Sequence, residues 1–251
     1  MKKTIGIMGA MPEEIDGVVS LLSNCKKSSA GMRTYYTGTI EGIETVVVFS
    51  RWGKVAAATT VSTLIHQFNI TELLFTGVAG AISPDLRIGD IVIANRLIQH
   101  DMDARPLMSR YEIPLLNQTW FAGDSALITK ATASINRLLE TKTLHTVIGD
   151  SALDEFDIIS PQLYSGDVAS GDLFFSEARQ KHILHRQLPS VLCVEMEGAA
   201  VAQVCYEHGI PFVIIRTISD IADDKSHIDF PRFIEKISSR YSTEIIKHVY
   251  S

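Results

Sequence analysis

Residues 197–220 read EGAAVAQVCYEHGIPFVIIRTISD, and the order of local signals in this stretch decides the fold. The first part, 197–208, carries small and apolar residues without an internal breaker, and Gly209 followed by Pro211 is a helix stop. The run PFVIIR that follows is apolar without alternation. A strand over 211–217 with that composition is buried on both faces and belongs in the middle of a sheet. A helix feeding directly into a doubly buried strand is the grammar of an α/β domain.

The same grammar extends in both directions. Downstream, Phe233, Ile237, Tyr241 and Ile245 recur every four residues and give a closing helix one apolar stripe to lay on the sheet. Upstream, a strand over 191–195, a helix from Ser176 and a strand over 163–169 repeat the pattern. Residues 4–10 read as a first buried strand. A helix over 12–22 follows it, with Pro12 at the first helical position and acids in the first turn. The stretches 35–40 and 43–50 flank Glu41-Gly42 at hairpin spacing. KVAAATTVSTLIHQF (54–68) has helical periodicity, ITELLFTG (70–77) returns as a strand, and 90–99 is another. Residues 100–114, with two prolines, read as a loop. Residues 125–141 read as a helix, and 142–162 show no clear period. The expected fold is therefore a single α/β domain over 1–251 with a central mixed sheet flanked by helices.

Bulk properties narrow the function classes. With 251 residues, 46% hydrophobic and 21% charged, the chain has the composition of a soluble globular enzyme. A net charge of −6 without basic clusters argues against nucleic acid as a partner. The three cysteines, Cys25, Cys193 and Cys205, lack CxxC spacing, which fits a reducing cytoplasm and indicates neither a disulfide framework nor a thiolate zinc site. The apolar run near the start meets Pro12, Glu13 and Glu14 too soon for a secretory segment, and no stretch approaches the length that spans a bilayer.

In α/β sheets ligands sit beyond the carboxyl ends of strands. Five places there carry polar residues: MPEE (11–14), TGVAG (76–80), SGDLFF (170–175), VEMEG (194–198) and RTISD (216–220). An acid after a strand is commonly no more than a favourable charge at a helix N-terminus. Three acids from separate strands, Glu14, Glu197 and Asp220, are another matter, because their convergence in one cleft is costly unless a substrate uses them.

On GIMGAMPEEI (6–15), SGDLFF, VEMEGAAVAQVC (194–205) and RTISDIADD (216–224), taken in order, the chain resembles the methylthioadenosine/S-adenosylhomocysteine nucleosidases of the nucleoside phosphorylase superfamily. The resemblance implies a catalytic set of Glu14 as general base for the attacking water, Asp220 as proton donor to adenine, Ser219 orienting that carboxyl, and Arg216 holding the constellation. It also implies that Glu197 and the Met196 backbone hold the ribose hydroxyls beside Glu195. Phe174 would stack on adenine while the Phe175 backbone reads its edge. Met11, Val78, Ala222 and Phe230 would line the cleft, and Gly80 would allow close backbone approach. A loop after HDMD in this family reaches the partner's site, which assigns Leu107 to the 5′ pocket and implies a homodimer. No cofactor is implied. His100, Asp101 and Asp103, and the pair His182 and His185, lack a full ligand set, so no metal is assigned.

Two positions depart from the commoner family pattern. Val78 replaces a serine that helps position the water, and Trp52 in SRWGK (50–54) replaces a small aliphatic residue. Neither removes a proton-transfer group, but both bear on water geometry and pocket size. Three rival functions are weighed. A phosphorylase needs arginines and amides for its anion, and Val78 stands where that arginine would be. A nucleosidase for aminodeoxyfutalosine would share the adenine and ribose contacts. A silent nucleoside-binding protein would have lost the acid or the base, and both are present.

Overall fold

In the computed structural model, which describes residues 3–224 and 226–250, the stretch that decides the fold is a helix followed by a strand. From the N-terminus the elements are β1 (Thr4–Gly9), α1 (Pro12–Val19), β2 (Ser23–Ala30), β3 (Arg33–Ile40), β4 (Ile43–Phe49), α2 (Lys54–Phe68), β5 (Glu72–Ala81) and β6 (Ile91–Gln99). They continue with β7 (Phe121–Ala122), α3 (Ser125–Glu140), α4 (Thr143–Ile148), α5 (Asp150–Asp154), β8 (Leu163–Ser170), α6 (Ala178–Gln187) and β9 (Val191–Glu195). The chain ends with α7 (Gly198–His208), β10 (Phe212–Asp220), α8 (Ser226–Phe233), a π-helical turn (Ile234–Ser238) and α9 (Ser239–Tyr250).

All nine residues of β10 are buried. The strand runs parallel to β5 on one side and antiparallel to β6 on the other. Its side chains alternate between two cores, which is why the run needs no polar residue: Phe212 and Ile214 pack with α2 and α7, and Val213 and Ile215 pack with α1, α3 and α9. The mixed sheet flanked by helices that the alternation implied is present. Its closure was not anticipated. Strand order runs β10-β6-β8-β9-β5-β1-β4-β3-β2, and β10 also pairs with β5, so five strands form a ring from which β1 to β4 extend.

Several boundaries differ from the sequence reading for identifiable reasons. Helix α1 ends at Val19, and after three residues the eight from Ser23 to Ala30 form β2, an edge strand exposed along nearly its whole length. A strand with neither face buried has no hydrophobic period to detect, and its Lys26 and Lys27 suit an edge that must not pair further. The 41–42 turn holds both residues in the left-handed region (φ 47° and 76°), as a two-residue hairpin requires. Strands β5 and β10 run to Ala81 and Asp220, so TGVAG and RTISD lie within strands rather than after them. Helix α6 starts at Ala178 rather than Ser176, and the aperiodic 142–162 segment holds the short helices α4 and α5. The 100–114 loop has no regular element, as expected.

The closing stripe is fully buried: Phe233, Ile237, Tyr241 and Ile245 are all 0% exposed. Four residues of α-helix turn through about 400°, so a strict i+4 stripe drifts around the axis. The wider π-helical turn after Phe233 takes back part of that drift and keeps the four side chains on the sheet.

Candidate active site

Glu14 occupies the third position of α1, three residues after the turn that leaves β1. Its Oε2 accepts from the amides of Ala10 (2.5 Å) and Met11 (3.0 Å), so the bland role of a helix-terminal acid is real. Yet Oε1 crosses to another strand and accepts from the amide of Val78 on β5 at 3.1 Å. The side chain is 1% exposed. Burial pushes its pKa up, while Arg216 and the three amides pull the other way. Glu13 beside it faces solvent.

Asp220 ends β10. The β5–β10 register shifts between Ile218 and Asp220, a bulge that turns the last residues inward. Asp220 Oδ2 accepts from Ser219 Oγ at 2.8 Å and Oδ1 from the Ala222 amide at 2.9 Å. Burial raises its pKa against the hydrogen bonds from Ser226, Ala222 and Ser219. Opposite it stands Gly80, where an added Cβ would lie 3.0 Å from Asp220 Oδ1 and 3.1 Å from Ala222 Cβ. Glu14 is thus hung on Val78 and Asp220 set against Gly80, two residues apart on β5, a step of about 6.6 Å along one strand.

The VEMEG turn divides two roles that sequence reasoning had joined. Both oxygens of Glu195 are taken by protein groups. Oε2 accepts from the amides of Glu197 (3.1 Å) and Gly198 (2.7 Å) and from Arg216 Nη2 (2.7 Å), and Oε1 accepts from Ser170 Oγ. Glu195 therefore shapes the turn, and it also lines the cleft and the recess beyond it, where it was expected. Glu197 is different: Oε1 accepts from the Gly53 amide at 2.8 Å, and the residue lines the cleft. Burial and the neighbouring Glu195 raise the Glu197 pKa to about 8.

Arg216 is 1% exposed, its ion pair is with Glu195 rather than Glu14, and its guanidinium lies 3.9 Å from the centre of the Phe75 ring. It still bears on Glu14 by charge. Three carboxylates around a single guanidinium leave an excess of negative charge in a buried site, so holding a proton there is favoured.

Glu14, Glu197 and Asp220 line one cleft of about 460 Å³, with Met11, Trp52, Val78, Gly80, Phe174, Met196, Ser219 and Phe230 among the other walls. A recess of about 260 Å³ continues past Asp220 and adds Phe175 and Ala222. Phe230 meets Phe174 edge to face at 5.4 Å and Trp52 at 5.9 Å, so aromatic rings run from the recess to the mouth. Leu107 is 90% exposed and does not line the cleft of the single chain.

Residues that the sequence reading missed do supporting work. Gly77 precedes Val78, and a Cβ there would come 2.8 Å from Glu14 Oε1 and 3.2 Å from Arg216 Nη1. Ser170 opens SGDLFF and accepts from the Ala199 amide at 2.7 Å while donating to Glu195. Their signal was present in the quoted motifs, but a glycine or serine gives no hint of which carboxylate it serves. Among the described residues no group of three or more His, Cys, Asp or Glu is placed to hold a metal.

The Phosphorylase superfamily model matches residues 4–250. A 5′-methylthioadenosine/S-adenosylhomocysteine nucleosidase of Halalkalibacterium halodurans is 36% identical over 93% of this chain and 92% of its own. An aminodeoxyfutalosine nucleosidase of Helicobacter pylori is 34% identical over 98% of this chain and 97% of its own. Among solved structures, the 5′-methylthioadenosine/S-adenosylhomocysteine nucleosidase of Neisseria meningitidis in complex with methylthio-immucillin-A superimposes with a TM-score of 0.85 at 29% identity, covering 98% of both chains.

Proposed function

The chain belongs to the phosphorylase superfamily and, within it, to the 5′-methylthioadenosine/S-adenosylhomocysteine nucleosidases, and on that premise we propose that it hydrolyses the N-glycosidic bond of 5′-methylthioadenosine and S-adenosylhomocysteine. The products are adenine and the 5-thio-substituted ribose. 5′-Deoxyadenosine, which presents the same adenine and ribose, is a further substrate.

The observation that carries this reading is the pair of buried carboxyls set two residues apart along β5, Glu14 on Val78 and Asp220 against Gly80. Breaking the bond leaves negative charge on the base and positive charge on the sugar. Asp220, whose pKa burial raises, supplies a proton to the leaving adenine in the recess bounded by Phe174 and Phe175. Ser219 and the Ala222 amide hold its oxygens in place. Glu14 takes a proton from the attacking water, and Glu197 with the Met196 backbone holds the ribose hydroxyls between them. Arg216, through Glu195, fixes the turn from which Glu197 projects. A carboxylate where a phosphorylase needs a cation repels phosphate and favours water.

Pure protein incubated with 5′-methylthioadenosine, with and without phosphate, tests the reading. Adenine and free sugar are expected at rates independent of phosphate, and a sugar phosphate as the main product overturns it. Trp52, 55% exposed at the mouth, supports a second substrate reading, because an indole there offers a surface to a bulky 5′ group of the aminodeoxyfutalosine kind. Rates on both nucleosides decide between them.

The protein acts in the cytoplasm as a homodimer. Met32, Trp52, Val55, Leu107 and Leu115 are all more than half exposed, and large apolar side chains in that state favour a covering partner. Sedimentation that returns a fully active monomer at nanomolar concentration refutes the dimer.

A further inference from the structure

We propose that Lys54 is a positioning residue for the ribose side of the cleft, acting through Gly53 on Glu197. The inference rests on the hydrolase reading above and goes beyond it, because Lys54 lies outside the cleft.

Three loops meet at this lysine: the turn carrying Trp52 and Gly53, the start of the 100–114 loop, and the segment carrying Phe174 and Phe175. Lys54 Nζ donates to Asp101 Oδ1 at 2.5 Å and lies 3.7 Å from Asp172 Oδ2. The Lys54 amide donates to Asp172 Oδ1 at 2.8 Å, and the Asp172 amide donates to Asp101 Oδ2 at 3.0 Å. Each member is thus tied to both others, Lys54 and Asp172 by side chain and backbone and Asp101 by its two carboxylate oxygens. The Lys54 side chain as a whole is well covered, with an exposure of 16%.

The closed triangle fixes the two peptide units on either side of it. One belongs to Gly53, held at φ 92°, whose amide donates to Glu197 Oε1 at 2.8 Å. A Cβ at Gly53 would lie 3.2 Å from Asp172 Oδ1, so the turn and the 171–175 segment touch at that point. The other unit belongs to Asp172, two residues before Phe174. The groups on the ribose side (Gly53, Glu197) and the base side (Phe174) are therefore set in one frame, although they come from distant parts of the chain. Coulomb attraction is not the main contribution, since Asp172 is half exposed and such pairs are worth little in water. The triangle matters for where it holds the Gly53 amide. Without that donor the buried Glu197 carboxyl loses the protein hydrogen bond that aims it, and a misplacement of about 1 Å near a reacting centre costs up to about 10²-fold.

The test compares Lys54→Met, which keeps the apolar stem, with Lys54→Arg, which keeps the donors. Both are assayed on 5′-methylthioadenosine and on its 2′,3′-dideoxy analogue, which lacks the hydroxyls Glu197 would hold. Calorimetric binding of the same two nucleosides supplies a comparison independent of turnover. Lys54→Met is expected to lose about 10- to 100-fold in kcat/KM and to bind more weakly on the hydroxylated nucleoside, with less than threefold change on the analogue. Lys54→Arg is expected to recover most of the loss. Equal losses on both nucleosides, or wild-type behaviour of a folded Lys54→Met, overturn the inference while leaving the hydrolase reading intact. If Lys54→Met fails to fold, Asp101→Asn applies the same comparison from the other corner of the triangle. Absence of adenine release by the wild-type protein overturns the hydrolase reading instead, and the binding comparison then still decides the role of Lys54.

Discussion

Replacing Asp220 with Asn separates the chemistry of that carboxyl from its structural duties. The side chain has the same shape, and the Ala222 amide that now donates at 2.9 Å can still find a carbonyl oxygen. The other end becomes an amide facing Ser219 Oγ, now 2.8 Å away, which can turn and accept. The structural loss is thus confined to the hydrogen bonds from Ser219 and Ser226, roughly 1 kcal/mol each. The kinetic loss is larger, because the amide has no proton to give. Removing a general acid costs about 10²- to 10⁴-fold, which is about 2.7 to 5.4 kcal/mol of barrier.

The pH dependence carries the opposite sign for stability. Burial raises the Asp220 pKa in the folded state, so its contribution favours folding below the ordinary carboxylate range and is lost as pH rises through the raised value. Asn never ionises, so Asp220→Asn is expected to melt no lower than wild type at pH 8 while turnover falls at least 10²-fold. Adenine release in a single turnover and thermal melts at pH 5 and pH 8 measure both. Retention of more than a tenth of wild-type turnover refutes the acid role. A large fall in melting temperature at both pH values shows instead that the carboxylate was structural.

Gly77→Ala places a methyl 2.8 Å from Glu14 Oε1, so turnover is expected to drop more than tenfold, with KM for adenosine analogues less affected. Unchanged turnover contradicts the placement of Glu14. Glu197, raised to about 8, favours the fold below about pH 4.5 and loses that contribution as pH climbs through 8, with a slope of up to about 1.4 kcal/mol per pH unit. Glu197→Gln is expected to flatten the melting temperature between pH 5 and 8, and a profile parallel to wild type rules the raised pKa out. Trp52→Ile removes the indole surface at the cleft mouth and is expected to lower the kcat/KM ratio of aminodeoxyfutalosine to methylthioadenosine, whereas a constant ratio removes Trp52 from the 5′ subsite.

The parts legible in the sequence were those where one physical requirement acts alone. β10 had to be apolar because it faces two cores, and the stripe from Phe233 to Ile245 had to recur because one helix face is buried. The acids Glu14, Glu197 and Asp220 were visible because acidic residues at strand ends are conspicuous, and all three line the cleft. What escaped depended on who pairs with whom. Glu195 and Glu197 are separated by a single residue, and only the turn geometry shows that one accepts from the turn's own amides and Arg216 while the other reaches the distant Gly53 amide. Arg216 was expected to hold the constellation, but no motif says which carboxylate it reaches, and that partner is Glu195. β2 was invisible because its eight residues bury no face, and ring closure by β10 depends on strand order, which no local pattern encodes.

That closure makes the order of chain emergence matter. β5 is complete by residue 81 and β6 by residue 99, but the strand that joins them starts at Phe212. A nascent chain holding everything before it carries two open strand edges and waits more than a hundred residues for their partner, a long-range pairing of the kind that slows folding. Because β10 also brings Arg216, Ser219 and Asp220, no shorter intermediate contains the acid. The half-made protein is therefore prone to sticking at its edges and catalytically silent. Insertion of one late strand ends both conditions in the same event.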